Sequence, residues 1–195
     1  MSTAPKRLLT EAEYLAAERA AETKSEYFAG EMFALAGARR NHNVIVTNVV
    51  GELRQQLRHR PCEAYPSDMR VKVGRTGLYT YPDVVVVCGQ PEFLDATEVT
   101  LLNPTLLVEV LSSSTANYVR GLKSRCFRAL PSLQEYVLAE SEELQVEVFR
   151  RAEGGQWLVE DVADLTAQVA LHSIGCALGL AAIYENVDVP PRGPT

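Results

Sequence analysis

Two short runs of branched aliphatic residues, each carrying one acidic side chain, most constrain what this chain can fold into. The first extends from Tyr81 to Cys88 and contains Asp83, and the second extends from Thr105 to Leu111 and contains Glu109. Such runs are typical of strands that are covered on both faces of a sheet. A carboxylate inside such a strand is costly unless a cation, a hydrogen-bond network or a raised pKa neutralises it. The pattern therefore predicts a covered sheet with two chemically unusual acids.

The positions of the two acids would allow them to meet. Asp83 lies at the start of its run, directly after Pro82, and Glu109 lies near the end of its own run. If the two strands are antiparallel neighbours, these ends coincide, and a hard divalent cation with oxygen ligands could bridge the carboxylates. Such a cation polarises a phosphate and lowers the pKa of a bound water, as hydrolysis of a phosphodiester requires. Lys123, on a helix predicted to follow the second strand, is the candidate for a fixed cation near the reacting groups.

A structural explanation accounts for the same residues. Buried acids can accept hydrogen bonds from backbone amides or pair with basic side chains, of which Arg70, Lys72 and Arg125 are candidates. Lys123 can lie on a solvated helix face. The spacing of two acids and a lysine does not by itself decide between metal chemistry and these alternatives.

The length and charge of the chain limit the kinds of protein that it can be. With 195 residues and 21.5 kDa it is expected to form a single domain over residues 1–188, followed by a flexible tail over 189–195. No apolar run reaches the roughly 18 residues of a membrane span, and the basic pair Lys6-Arg7 has no apolar core behind it, so a cytoplasmic location is expected. The net charge of -6 argues against a general nucleic-acid coating protein. It does not exclude a nuclease, because a metal site itself requires carboxylates.

The pattern along the chain mixes helices and strands. Thr10 to Glu13 has the form of a capping box before a helix that ends near Thr23, and residues 25–36 are expected to form a hairpin. A second helix is predicted with Asn41 as its cap, and a third from Ala116 to Ala129. Strands are predicted at 62–73, 135–139 and 144–150 and through Trp157. The fold class is therefore α/β in the broad sense (α+β).

The cysteines and two of the histidines are interpreted as structural. Four widely separated cysteines show no close pair of the kind that a zinc site or a redox motif uses, so they are expected to be small buried hydrophobes: Cys62, Cys88, Cys126 and Cys176. His59 and His172 have no acidic or cysteine neighbour at ligand spacing and are expected to be surface or structural residues.

Five segments of the chain stand in a specific order: Lys24–Met32, Asn41–Asn43 with Asn48, Tyr81–Val84, Asn103–Ser112 and Pro131–Tyr136. Together they resemble the Uma-type putative restriction endonuclease family of the PD-(D/E)XK nuclease superfamily, over about residues 9–187. The resemblance implies a restriction-endonuclease-like core, with a central mixed β-sheet flanked by helices and an N-terminal helix and hairpin. It also implies cleavage of DNA by a Mg²⁺-activated water, with Mn²⁺ able to substitute.

Carried over by position, the resemblance implies a role for each site residue. Asp83, Glu109 and the Val110 carbonyl would hold the metal, Lys123 would orient the water or stabilise charge, and Glu31 would assist as an accessory ligand. A structural role for Glu31 in its turn is an equal alternative. The superfamily usually has its lysine two residues after the glutamate, where this chain has Leu111, so activity would depend on Lys123 extending to the site from the helix.

Several functions remain open at this stage. The leading hypothesis is a metal-dependent endodeoxyribonuclease acting on duplex or branched DNA. The alternative is a catalytically silent nucleic-acid- or protein-binding module on a nuclease fold, because a fold does not establish a function. RNA is a further possible substrate. A homodimer is plausible because cutting both strands of a duplex needs two active sites.

Overall fold

The alternation of helical and strand patterns produces a mixed α+β fold, of which the computed structural model describes residues 7–113 and 115–192. The helices are α1 (Glu11–Ala20), α2 (Arg40–Gln56), α3 (Ala116–Tyr118), α4 (Ser124–Phe127) and α5 (Leu180–Ile183), and a π-helical turn (Val119–Lys123) joins α3 to α4. The strands are β1 (Ser25–Phe28), β2 (Glu31–Ala34), β3 (Cys62–Pro66), β4 (Arg70–Val73), β5 (Leu78–Thr80), β6 (Val84–Cys88), β7 (Thr100–Leu101), β8 (Leu106–Leu111), β9 (Glu135–Glu140), β10 (Val146–Arg151), β11 (Trp157–Val162), β12 (Gln168–Leu171) and β13 (Cys176–Gly179).

The two aliphatic runs become neighbouring strands in the middle of a six-stranded sheet of order β11-β10-β9-β8-β6-β3. β8 pairs with β9 in parallel and with β6 antiparallel, and the remaining neighbours are antiparallel. Every residue of β8 is buried, as is every residue of β6 before Cys88. Burial on both faces explains why these strands are almost continuously apolar rather than alternating.

The two faces of this sheet pack against different layers. One face carries Val84 and Val108 and packs against α2, β13 and α5. The other face carries Val85 and Leu107 and packs against the π-helical turn, α4 and strands of the second sheet. Because side chains alternate along a strand, Asp83 and Glu109 belong to this second face. The acids therefore point into the layer from which the N-terminal hairpin and the Lys123 segment approach.

The N-terminal hairpin joins three strands from residues 70–101 in the second sheet, whose order is β2-β1-β5-β4-β7. Thr10 and Glu13 form the predicted capping box at the start of α1. Ala29 and Gly30, both with positive φ, form the tight turn between β1 and β2. Stacking of Tyr14 on Tyr27, with ring centroids 4.9 Å apart, fixes α1 against the hairpin. This packing holds β1 in place beside β5.

Several local expectations differ from the structure. The cap of α2 is Arg39, which makes no side-chain capping bond, and Asn41 lies inside the first turn. Residues 62–73 form two strands rather than one because the chain turns at 67–69, and β5 lies between the Gly77 turn and β6. The helix predicted from Ala116 to Ala129 ends at Phe127 and contains a π-helical turn. Ser114, expected within the turn before this helix, lies outside the described residues.

The cysteine interpretation was half right. Cys126 and Cys176 are free and buried, but Cys62 and Cys88 stand opposite each other on β3 and β6 and form a disulfide. A separation of 26 residues in sequence hid this pair, which only the strand register brings together.

The end of the described chain has defined contacts. The Leu144 amide donates to the Pro190 carbonyl at 3.0 Å, and Arg192 forms an ion pair with Asp161. Residues 193–195, the end of the tail that was expected to be flexible, lie outside the described residues. Within the described ranges, no helix combines the length and apolar character that crossing a bilayer requires.

Candidate active site

Asp83 and Glu109 meet at one end of the β6–β8 pair. Val84 is opposite Val108 in this antiparallel ladder, so the next position places Asp83 opposite Glu109. Side chains opposite each other in such a ladder have Cβ atoms about 4.5–5.5 Å apart. Asp83 Oδ2 accepts a hydrogen bond of 2.8 Å from the Val110 amide, which fixes its carboxylate at the end of the ladder. The antiparallel arrangement on which the sequence hypothesis depended is therefore present.

The environment of Glu109 makes its charged form costly. The residue is 5% exposed, and its Oε1 lies 2.6 Å from Lys123 Nζ. Burial raises the pKa of Glu109 to about 8, and the negative charge of Asp83 acts in the same direction, whereas Lys123 opposes them. Glu109 therefore retains its proton to a higher pH than an ordinary glutamate.

Lys123 completes the group from the end of the π-helical turn. Its ammonium is buried and lies between Glu109 Oε1, at 2.6 Å, and Glu26 Oε1, at 3.0 Å. Burial alone would lower the pKa of Lys123, but the two carboxylates raise it above its ordinary value. Single π-helical turns are rare and often occur at functional sites. The sequence prediction that Lys123 extends to the acids from a helix is consistent with this geometry.

Glu26, which sequence reasoning overlooked, lies on β1 and is 3% exposed. Its Oε2 accepts a 2.9 Å hydrogen bond from the Tyr118 hydroxyl, and its Oε1 accepts one from Thr80. These contacts hold the carboxylate that faces Lys123. The sequence did offer a sign of this role. Glu26 is a charged residue directly before two aromatic residues of a predicted strand, in a segment that resembles the family.

Glu31, the acid selected from that same segment, starts β2 opposite Phe28 and is partly buried. The hairpin acid that contacts Lys123 is Glu26. The accessory role of Glu31 stays a prediction.

His42 is a second residue that sequence reasoning left without a role. It projects from the first turn of α2, and its Nε2 lies 3.2 Å from Asp83 Oδ2. Burial would lower the pKa of His42, but its hydrogen bond to Asp83, the charge of Glu109 and a hydrogen bond to the Val110 backbone raise it overall. The two acids therefore face one basic group each, His42 at Asp83 and Lys123 at Glu109. The tripeptide Asn41-His42-Asn43 was noticed for its resemblance, but only the fold reveals that its histidine faces Asp83.

The donors at this end of the sheet suit a hard cation. Among residues 7–113 and 115–192, no three His, Cys, Asp or Glu side chains are arranged as a ready metal site. Mg²⁺, however, keeps several waters and is commonly bound through one or two carboxylates. The Asp83 and Glu109 carboxylates and the adjoining Val110 backbone fit this requirement. A divalent cation would also relieve the repulsion between the two acids that contributes to the raised pKa of Glu109.

Comparison with known proteins agrees with the resemblance seen in the sequence. A family model named Uma2, described as "Putative restriction endonuclease", matches residues 11–182. The chain belongs to the Uma2 family. Asp83, Glu109, Lys123, Glu26 and His42 all lie within the matched range of this Uma2 protein.

Two relatives and one solved structure extend the comparison. An uncharacterised protein of Synechocystis sp. is 36% identical to the Uma2 chain over 169 residues, which cover 87% of this chain and 96% of the relative. A second uncharacterised protein of the same organism is 33% identical over 185 residues, covering 95% and 96% of the two chains. The crystal structure of a putative nuclease belonging to DUF820 from Anabaena variabilis matches with a TM-score of 0.74 and 21% identity, over 90% of this chain and 97% of that one. This structural match shows that the two chains share a fold.

Proposed function

We propose that this Uma2 protein is a metal-dependent endonuclease that hydrolyses phosphodiester bonds in DNA. The observation that carries the proposal is the pairing of Asp83 with Glu109 at the end of the β6–β8 ladder, with Lys123 Nζ 2.6 Å from Glu109. Two carboxylates and an ammonium group, on three separate segments, converge where a covered sheet ends.

The metal-binding role belongs to Asp83, Glu109 and the Val110 carbonyl. A bound Mg²⁺ or Mn²⁺ would supply Lewis-acid polarisation of the phosphate and a lowered pKa for water. Glu109 must give up its proton or its contact with Lys123 to serve as a ligand. Its raised pKa means that this competition takes place within the physiological pH range.

Lys123 is proposed to orient the attacking water or to stabilise the charge that develops in the transition state. Glu26 acts as a positioning residue because its carboxylate, 3.0 Å from Lys123 Nζ, holds the ammonium in the site. His42 similarly orients Asp83 through the 3.2 Å contact at Oδ2. Glu31 is retained as an accessory group on the basis of the family resemblance alone.

The proposal is tested by a metal-by-substrate panel with purified protein. Duplex plasmid, single-stranded DNA, branched DNA and RNA are each incubated with Mg²⁺, with Mn²⁺ and with a chelator. We expect metal-dependent nicking of at least one DNA substrate, abolished in Asp83→Asn. Equal cleavage by wild-type protein and Asp83→Asn would identify a contaminating nuclease and contradict the proposal. A size measurement with and without duplex DNA tests the homodimer that cutting both strands would require.

A second candidate function is binding without turnover. It is favoured by the net charge of -6 and by the 2.6 Å contact between Glu109 and Lys123, which gives Glu109 a cationic neighbour without a metal. Nucleic-acid binding that persists in a chelator, with no cleavage of any substrate in either metal, would support this alternative.

A further inference from the structure

A cavity of about 360 Å³ opens beside the candidate site, where β8 and β9 end and α2 begins. Its volume is within the range of pockets that bind small ligands. The residues that line it are Arg39, Arg40, Asn41, Ser113, Ser141 and Glu142. The two guanidinium groups and the Ser113 hydroxyl supply hydrogen-bond donors to this lining, whereas the Ser141 hydroxyl donates to the Leu111 carbonyl at 2.6 Å.

The cavity shares its supporting elements with the acids. Arg39 precedes His42 by three residues at the start of α2, and Ser113 follows Glu109 by four residues after β8. Four residues of extended chain span at most about 14 Å. Phosphates rise roughly 3.4 Å per nucleotide along one strand of a duplex. The cavity is therefore within about four nucleotides of a phosphate placed at Asp83 and Glu109.

The charges in the cavity are only loosely engaged within the protein. The Arg39 side chain is 88% exposed and lies 3.9 Å from Glu142 Oε1, which also accepts a 3.0 Å hydrogen bond from the Ser113 hydroxyl. Arg40 donates to the Asn186 carbonyl at 3.2 Å and to Asn41 at 3.3 Å. A guanidinium has five N–H donors, so both arginines keep donors for a ligand. Arginine matches the geometry of phosphate oxygens particularly well.

We propose that this cavity, here called the arginine pocket, binds a backbone phosphate of the nucleic-acid strand that occupies the candidate site. The inference rests on the proposed function and names the contact that positions its substrate. Glu142 takes the place of the phosphate in the free protein, since it contacts the same Arg39 and Ser113 groups. Binding of the strand then requires Glu142 to release Arg39, so Glu142 opposes binding.

Fluorescently labelled duplex DNA, titrated in a chelator so that no cleavage occurs, tests the proposal. The double variant Arg39→Ala/Arg40→Ala should weaken binding about tenfold and reduce the slope of log K against log salt by about 0.9, the loss of one phosphate contact. The matched control is Arg54→Ala/Arg58→Ala, which removes the same charge from exposed positions farther along the chain, beyond the pocket. Glu142→Gln should have the opposite effect and tighten binding. Thermal melting establishes that each variant is folded.

Three results would contradict the proposal that the arginine pocket binds a backbone phosphate. Equal weakening by the two arginine pairs would indicate diffuse attraction by positive charge. Unchanged or weaker binding by Glu142→Gln would contradict its place on the phosphate site. Inorganic phosphate that binds the wild type but not Arg39→Ala/Arg40→Ala, while DNA binding is the same in both, would identify a free-anion site.

Failure of the nuclease proposal would give a different result. DNA binding would still depend on the arginine pocket, but neither Mg²⁺ nor Mn²⁺ would give cleavage.

Discussion

Glu109 and Glu135 are two buried glutamates on neighbouring strands with opposite surroundings. Glu135, 2% exposed at the start of β9, accepts hydrogen bonds from the His172 amide at 3.0 Å and the Ser173 amide at 2.9 Å. In addition, Arg150 Nε lies 3.3 Å from Glu135 Oε1. Glu109, 5% exposed near the end of β8, faces a second carboxylate and the ammonium of Lys123.

The difference separates a structural acid from a chemically available one. The two backbone amides can move away from the Glu135 carboxylate only if the loop that contains them unfolds. Glu135 therefore has a structural role, which is to hold the turn at residues 172–173 against the start of β9. The partners of Glu109 are side chains that can move or be replaced by a metal ion. Burial therefore does not distinguish these two glutamates, whereas the kind of partner each one has does.

The largest expected effect comes from removing each carboxylate in turn. Glu109→Gln should lower the cleavage rate by about 100-fold or more, the scale expected for loss of a group that stabilises the transition state. Glu135→Gln should leave the rate per folded molecule unchanged while lowering the free energy of unfolding by about 1–3 kcal/mol, because its amide partners lose a charged acceptor. Plasmid-nicking rates and urea unfolding measure both. A comparable loss of cleavage rate in both variants would contradict the distinction between a catalytic Glu109 and a structural Glu135.

Lys123 should have the next largest effect, this time on stability. Lys123→Met leaves Glu26 buried without its cation, and Glu109 loses the same partner once it is ionised above about pH 8, so the variant should cost about 3–5 kcal/mol at pH 9. Adding Glu109→Gln should recover part of this loss because one of the two unpaired charges is gone. Urea unfolding of the single and double variants gives the coupling between the residues. Strict additivity would mean that the 2.6 Å ion pair contributes nothing.

The sequence was sufficient for the parts of the site that depend on local pattern. Asp83 and Glu109 were visible because acids are rare in aliphatic strands, whereas the antiparallel pairing that brings them together was only assumed from the sequence and is shown by the register of β6 on β8. Glu26 and His42 were not identifiable as site residues because their roles depend on contacts across 97 (123 minus 26) and 41 (83 minus 42) residues. The Cys62–Cys88 disulfide escaped for the same reason, since it requires the register of β3 on β6.

The fold class was predictable at the level of layers but not of strand count. β5 and β7, of three and two residues, are too short to give a periodic pattern. The π-helical turn was also invisible, because the apolar residues of Ala116–Phe127 have ordinary helical spacing.

The pH dependence of stability provides a smaller, more specific test. The pKa of Glu109 is raised to about 8 in the folded protein. The folded state therefore retains a proton that the unfolded state has released, and the contribution of Glu109 to stability is full below about pH 4.5 and is lost as the pH rises through 8. Glu109→Gln should flatten the decline of the free energy of unfolding between pH 6 and 9, whereas Glu135→Gln should keep it. Cleavage should rise over the same interval, because a metal needs the ionised carboxylate.

The smallest expected effect is stabilisation by metal. At ten times its dissociation constant, Mn²⁺ should stabilise the wild type by about 1.4 kcal/mol, raising its melting temperature. Glu135→Gln should respond equally, and Glu109→Gln should not respond. Scanning calorimetry with and without Mn²⁺ makes the measurement, with Ca²⁺ as a second cation. An equal response in Glu109→Gln would place the ion elsewhere on the protein.

The π-helical turn has a consequence for how this site tolerates insertions and deletions. Each residue of an α-helix advances the side chains by about 100° around its axis. Deleting one residue of Val119–Lys123 would allow the turn to relax into ordinary α-helix and would swing the amino group of Lys123 away from β8, although the overall length of the chain would hardly change. With the lysine supplied from this turn, position 111 remains free for a buried leucine. Natural length variation between β8 and β9 should therefore spare these five residues and accumulate on either side of them.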